Sequence, residues 1–414
     1  MKHIVRKLSE SVLFSLGNTP VVFLNGPRQA GKSTLVQTLA QAKFPADYIS
    51  FDNATQLGAA TASPENFLRQ RQGATIIDEV QMVPTLFRPL KVMVDEQRIA
   101  DKANSNGRFL LTGSANIMAL PKLSDPLVGR MSVKTLYPFA ASEVFGGSGR
   151  FLEDLFCGKF SSITQDYTLN EAIQAATFPE ISCGDSRVAG EWFDGYVTTI
   201  LQRDVRMITE LEKIGLLPAL LRILASRAGG LMNDAEIARD IGLNPVTSKS
   251  YRSVLQAMFL SFDIQPWYRN IGKRLIKAPK GYIIDTLLLC HFLGWDLEDL
   301  KDNRPHLYGH VVENFVATEL LKLLSFSDIR ANLLHFRTSD GREVDFVLER
   351  PDGSLVGIEV KTSDRLSAKD FKGLKTLQEV AGKDFICGII LYAGKDIISF
   401  GENLYAVPFS ALWS

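Results

Sequence analysis

A chain of 414 residues with 46 acidic and 46 basic side chains carries no net charge, and its 46% hydrophobic and 22% charged content is that of ordinary globular proteins. This length divides into roughly two to four domains. Zero net charge excludes a global field that would recruit nucleic acid, so any basic surface is local. No apolar run approaches the ~20 residues that span a bilayer. Met1-Lys2-His3 leads into Arg6-Lys7 without a signal-peptide core, which predicts a cytoplasmic protein with no membrane partner. Cys157, Cys183, Cys290 and Cys387 lie far apart in no metal-ligand spacing. They are expected to be reduced and mostly buried.

In chain order, the first strong signal is the apolar run Val21-Val22-Phe23-Leu24 followed by Gly26-Pro27-Arg28-Gln29-Ala30-Gly31-Lys32-Ser33-Thr34. A strand feeds a Gly-rich turn that opens a helix. The glycines let backbone N–H groups curl around a phosphate, and the helix N-terminus adds its positive end. Lys32 reaches the β/γ oxygens, and the Ser33 hydroxyl ligates Mg²⁺. This motif predicts ATP and Mg²⁺ as cofactors, with Gly26 to Thr34 as the binding loop.

The segment Ala74-Thr75-Ile76-Ile77-Asp78-Glu79 is a short apolar strand ending in two carboxylates, at the edge where an open parallel sheet binds ligands. Asp78 is expected to hold Mg²⁺ through water, and Glu79 to polarise the attacking water. Together they predict an ATPase. Tyr48–Phe51, Arg108–Thr112 and Val133–Leu136 read as further strands, with helices near 33–42 and 85–98, so residues 1–145 are expected to form an α/β doubly wound parallel sheet. The fourth strand ends in Thr112-Gly113-Ser114. Either hydroxyl can sense a γ-phosphate, or serve as a strand-end cap. Arg130, just before the last strand, can reach a phosphate of its own or a neighbouring subunit, or pair on the surface. The neighbouring-subunit option implies a homo-oligomer.

These motifs resemble the AAA-type ATPases of bacteria and archaea whose C-terminus is a domain of unknown function. The likeness rests on Gly26 to Thr34, Asp78-Glu79-Val80-Gln81, Leu111-Thr112-Gly113-Ser114, Leu127-Val128-Gly129-Arg130, Leu136-Tyr137-Pro138-Phe139, and the mid-chain run Tyr196 to Arg206. It implies an ATP-binding core, a helical middle that includes a winged helix, and a nuclease-like C-terminal fold.

Residues 146–215 read as helical with few chemical groups, where Arg203, Asp204 and Arg206 form an ion-pair network or a solvated face. In 216–300 the pattern predicts helices from Leu217 to Ala228, from Asn233 to Leu243, and from Asn244-Pro245 onward. Thr247, Ser248, Lys249, Ser250, Tyr251 and Arg252 front the third. Phe259–Ile264 and Arg274–Lys277 read as a hairpin whose basic turn carries Lys273. Helix, turn, helix and hairpin predict a winged helix that contacts DNA, or that packs against protein.

In 301–414, Glu313 lies in a helix spanning His310 to Leu324. Asp345 lies in the strand Val344–Leu348, and Glu359-Val360-Lys361 ends a strand across the Pro351–Ser354 turn. Strand alternation puts Glu359 and Lys361 on one face, within reach of Asp345. Such a set can hold Mg²⁺ through Glu313, Asp345 and Glu359, with Lys361 activating water, or it can be a buried ion-pair cluster. The order resembles the PD-(D/E)XK nuclease superfamily, with Val344-Asp345 where the Pro-Asp pair usually stands. That likeness implies DNA as substrate and Asp345, Glu359 and Lys361 as catalytic groups. Two functions stay open: an ATPase acting on DNA, with or without cutting it, and a nucleotide-switched binding or scaffold protein with a silent nuclease-like domain.

Overall fold

The computed structural model describes residues 4–101, 105–116, 127, 129–160, 167–205, 213–270 and 278–414. The chain divides into two compact units, Met1–Pro138 with Ala257–Phe259, and Phe139–Gln256 with Leu260–Ser414.

The first unit is built on β1 (Val21–Asn25), β2 (Asp47–Ser50), β3 (Thr75–Asp78), β4 (Phe109–Gly113) and β5 (Met131–Thr135). Their order across the sheet is β2-β3-β4-β1-β5, and every described pairing is parallel. Both faces of such a sheet are covered, so the central strands are apolar throughout. Accordingly β1, β3 and β4 are buried at every position. The covering helices are α1 (Leu8–Asn18), α2 (Lys32–Ala42), α3 (Ala54–Ala62), α4 (Pro64–Arg69) and α5 (Phe87–Ala100). The five expected strands are present within a residue or two. Because β1 and β3 both run parallel to β4, their carboxyl ends, and the loops that follow, lie on one edge.

The second unit begins with helices that include α6 (Ser186–Thr199), which runs on into a π turn at Ile200–Asp204. Of the expected charged set there, Arg203 is exposed and Asp204 buried, and Arg206 lies outside the described residues. Next come α7 (Leu217–Ser226), α8 (Asp234–Asp240) and α9 (Pro245–Ala257). The Asn233 side chain caps α8 by accepting from the N–H groups of Ala235 and Glu236, which replaces partners that a first turn lacks.

A single eight-stranded sheet follows, ordered β12-β13-β11-β10-β9-β8-β6-β7. Its strands are β6 (Ser261–Pro266), β7 (Lys280–Ile283), β8 (Asn332–Arg337), β9 (Glu343–Glu349), β10 (Leu355–Lys361), β11 (Phe385–Tyr392), β12 (Ile398–Gly401) and β13 (Leu404–Pro408). The expected hairpin strand at Arg274–Lys277 lies outside the described residues, apart from its turn's first two residues Arg269 and Asn270. The described partner of β6 is β7, antiparallel with Ile264 opposite Lys280. Because β6 also runs parallel beside β8, the 216–300 and 301–414 segments share one sheet.

The long helix α10 (Pro305–Phe326) buries residues all round its circumference, from Tyr308 and Val311 to Leu323. The amphipathic α11 (Lys372–Ala381) lays Leu374 and Leu377 into a core with Trp267, Phe336, Val344, Val347 and Phe371. Of the four free cysteines, Cys290 and Cys387 are buried but Cys157 and Cys183 are exposed, so burial holds for half of them. Cys157 ends a helix and Cys183 sits in a turn, where neither is packed from outside. Among the described residues no helix is long and apolar enough to cross a membrane.

Candidate nucleotide site and acidic cluster

The Gly26 to Thr34 loop leaves the carboxyl end of β1 and turns into α2 through left-handed backbone at Gln29 (φ 61°) and Gly31 (φ 92°). Gly26 is required for a different reason: a Cβ there would collide with the Leu136 carbonyl. The buried Lys32 ammonium donates to the carbonyls of Gly26 (3.0 Å) and Pro27 (2.7 Å), so it lies over the loop that it would share with a phosphate. Arg6 braces the loop from outside, donating to Ala30 O (2.7 Å) and Tyr137 O (2.6 Å). Nothing in the local sequence marks Arg6. Its role comes from two carbonyls 24 and 131 residues away.

Beside this loop, β3 delivers Asp78 and Glu79. The Asp78 carboxylate accepts from Tyr48 Oη (2.6 Å) and from Thr112 Oγ1. Burial and the adjacent Asp78 charge push the Tyr48 phenol up to about 12, which keeps it a donor. Thr112 also accepts from the Glu79 N–H (3.2 Å). Glu79 itself sits on left-handed backbone, φ 59°, a conformation rare outside glycine and concentrated at functional sites. Its Oε2 accepts from the Gln81 amide and from Ser114 Oγ (3.3 Å), while the same amide also donates to Ser114 Oγ (2.9 Å). The structure therefore gathers the loop, Asp78, Glu79, Thr112 and Ser114, and adds Tyr48 and Gln81. A Gly-rich loop with backbone donors, a lysine, a hydroxyl and a carboxylate is a donor set that fits ATP with Mg²⁺.

Arg130 is placed elsewhere. Its carbonyl accepts from Val21 N (3.3 Å) at the amino end of β1, whereas the phosphate loop leaves the carboxyl end. Five residues of strand separate the two, roughly 16 Å, beyond the reach of an arginine side chain. Its guanidinium instead forms a two-pronged pair with Asp95 of α5, at 2.5 and 3.0 Å.

In the second unit, β9 and β10 pair antiparallel with Phe346 opposite Ile358. This register carries Asp345 beside Glu359. Asp345 Oδ2 accepts from Val360 N (3.0 Å), and Lys361 Nζ donates to Glu359 Oε1 (2.7 Å). The second Glu359 oxygen is buried without a hydrogen-bond partner. Glu313 leans in from α10. Between Glu313 and Asp345 stands Lys280, its Nζ 2.9 Å from Glu313 Oε1 and 3.2 Å from Asp345 Oδ1. Tyr282 Oη donates to the same Glu313 oxygen (2.8 Å). The four expected residues thus converge, and sequence reasoning missed Lys280 and Tyr282. Their i, i+2 spacing was the available signal, since it puts both on one strand face.

Burial, reinforced by the Asp345 charge, raises Glu313 to about 7 and Glu359 to about 8. For Lys280, burial pulls down, but Asp345 and Glu313 more than reverse it and hold the ammonium above its ordinary value. Nearby His335 is buried and lowered to about 4 by burial and the Lys280 charge, so it is neutral. Among the described residues no three carboxylate, imidazole or thiolate groups are arranged as a metal cage.

Residues 18–145 match the AAA domain family. Residues 167–299 and 308–412 match two domains of unknown function, DUF8612 and DUF4143. Across 396 residues the chain is 30% identical to an uncharacterized protein of Mycobacterium bovis and to one of Mycobacterium tuberculosis, covering 95% of this chain and 81% of each relative. The chain belongs to the family of these mycobacterial proteins. A more distant member from Haemophilus influenzae is 21% identical over 352 residues, 80% of either chain. The N-terminal unit of this chain is an AAA-type ATPase domain, as the family match, the loop and the acidic strand end indicate. A Walker-type ATPase of Pyrococcus abyssi superposes with TM-score 0.41 at 14% identity, covering 69% of this chain and 95% of its own. AMPPCP-bound DnaA from Aquifex aeolicus gives 0.28 at 15%, covering 60% and 86%. Neither score carries the assignment, which rests on the sequence match and the site.

Proposed function

We propose that the protein binds and slowly hydrolyses Mg-ATP in its first unit, and that it binds DNA through α7, α8, α9 and the β6–β7 hairpin of the second. The network that joins Asp78, Thr112, Glu79, Gln81 and Ser114 beside the phosphate loop carries the first half. Lys32 and the loop N–H groups hold the phosphates, and Ser33 with Asp78 holds Mg²⁺, which offsets phosphate charge. Glu79 accepts a proton from the attacking water. Calorimetry tests the reading: Lys32→Ala loses ATP binding, whereas Glu79→Gln keeps it and loses turnover, since only the water-polarising group is gone. Equal ATP affinity in wild type and Lys32→Ala overturns it.

DNA binding is supported by the order helix, turn, helix and hairpin, and by Lys249 and Ser250, both exposed at the front of α9. Contacts of this kind are to phosphates, so affinity falls steeply with salt and depends little on sequence.

A second reading, metal-dependent DNA cleavage on a PD-(D/E)XK-like sheet, is favoured by Asp345, Glu359 and Lys361 meeting at one strand end and by the unpartnered Glu359 oxygen. The Lys280 ammonium stands against it, because it lies between two of the three carboxylates that would ligate the metal. The residues present therefore do not fit a resident divalent ion.

A further inference from the structure

The cluster formed by Glu313, Asp345 and Glu359 contains a cation that the fold supplies. Lys280 is the first residue of β7, and its main chain is held on both sides. On one flank it pairs with Ile264 of β6. On the other, Met232 N donates to Pro279 O (2.8 Å), Gly229 N to Gly281 O (2.9 Å), and Gly281 N to Gly230 O (3.2 Å). The ammonium is not swung in from a free loop. Its side chain is 5% exposed, and Tyr282, two residues on and so on the same strand face, donates to the carboxylate that Lys280 contacts. Gly229 closes the site further: at φ +78°, a Cβ there would lie 3.1 Å from the Glu313 carboxyl carbon and both its oxygens.

We propose that the Lys280 ammonium is the permanent cation of this cluster and excludes divalent metal from it in the native chain. Mg²⁺ needs oxygen ligands at about 2.0–2.1 Å in octahedral order. An ammonium that already touches Glu313 Oε1 and Asp345 Oδ1 leaves no room for an ion on those two oxygens. Buried carboxylates must be neutralised by something, and here a lysine from an edge strand does it. The same argument says what happens without it: Glu313, Asp345 and the free Glu359 oxygen would face one another with only Lys361, held on the other Glu359 oxygen, to offset their charge, which is a divalent-cation site. This inference concerns the second unit alone, so failure of ATP binding in the first leaves it standing.

Mn²⁺ titration of the full-length, nucleotide-free protein, followed by the loss of free-ion electron paramagnetic resonance signal, tests it. Wild type is expected to show no Mn²⁺ site that Asp345→Asn removes. Lys280→Ala is expected to gain one Mn²⁺ per chain, at least tenfold tighter than any in wild type, and to lose it when Asp345→Asn is added. A stoichiometric, Asp345-dependent Mn²⁺ site in wild type overturns the proposal, and so does a folded Lys280→Ala that gains none. If circular dichroism shows that Lys280→Ala does not fold, the wild-type titration decides: an Asp345-dependent site refutes, and its absence together with a folded, Mn²⁺-free Lys280→Arg supports.

Discussion

Glu79 must present a carboxylate to water while standing on backbone that few residues adopt, and two donors fix where that carboxylate points. Gln81 reaches Glu79 and Ser114 at once, so it acts on the reaction through another group's position. Removing it leaves the phosphate loop intact. Gln81→Ala is therefore expected to bind ATP as wild type does, while kcat falls about tenfold, the order of loss that goes with a misplaced catalytic group. Steady-state turnover beside calorimetric affinity checks this, and an unchanged kcat makes Gln81 a bystander. Glu359 supports a prediction about pH. Its folded value, about 8, lies above the ordinary carboxyl value, so between those two pH values the folded chain binds more protons than the unfolded one. Stability from this group is then full at low pH and is lost as pH rises towards 8. Glu359→Gln removes the effect. Relative to wild type, the variant should gain stability from pH 5 to pH 8 by at least about 1 kcal/mol, near the worth of one pKa unit. Denaturant midpoints at the two pH values measure it, and a constant difference would show that burial does not govern this carboxyl.

At the scale of elements, α9 separates structural from exposed polar groups. Ser248, Tyr251 and Arg252 were expected to front a DNA contact, yet all three are buried. Arg252 pairs with Asp263 of β6 at 2.9 Å and with Asp234 of α8 at 3.1 Å. With Leu255 they fall at helical i, i+3, i+4 and i+7 positions, the inward stripe of a packed helix. Lys249 and Ser250 lie on the other face. Lys249→Glu should weaken DNA binding and flatten its salt dependence without altering stability. Arg252→Ala should instead destabilise by about 3 kcal/mol, because it strands two carboxylates in a partly buried contact. Filter binding at several salt concentrations and urea unfolding separate the two effects; a destabilised Lys249→Glu, or an Arg252→Ala impaired only in binding, would reverse the assignment. The same contrast explains what the sequence made legible. The parallel strands of the first unit showed as apolar runs ending in Gly26, Asp78 and Thr112, since burial on both faces leaves a local signature. Asp345 and Glu359-x-Lys361 were readable from strand alternation and one turn. Lys280 was not, because its partners lie 33 and 65 residues away and a lysine opening a strand reads locally as solvent-facing. The short helix α3, rich in Ala and Thr, carries too weak an apolar stripe to announce itself, and α4 is only six residues long.

For the molecule as a whole, the decisive fact is the edge of the sheet on which Arg130 lies. It cannot serve the phosphates bound by its own chain, since β1 runs its full length between them. A second copy can bring its own Arg130 to that loop. The Asp95 partner does not prevent this: the two side chains are 28% and 35% exposed, and a pair so open to water contributes little, less than a guanidinium gains on transition-state phosphate charge. Arg130 in trans predicts that turnover per chain rises with protein concentration, and that Arg130→Ala binds ATP normally but hydrolyses it poorly. It also predicts complementation. Lys32→Ala cannot bind ATP yet keeps Arg130, while Arg130→Ala keeps an intact loop, so mixing two nearly inactive variants should restore a fraction of wild-type turnover. Mixtures no more active than the sum of their parts, with turnover per chain independent of concentration, would place Arg130 and Asp95 among ordinary surface ion pairs and leave each chain hydrolysing ATP alone.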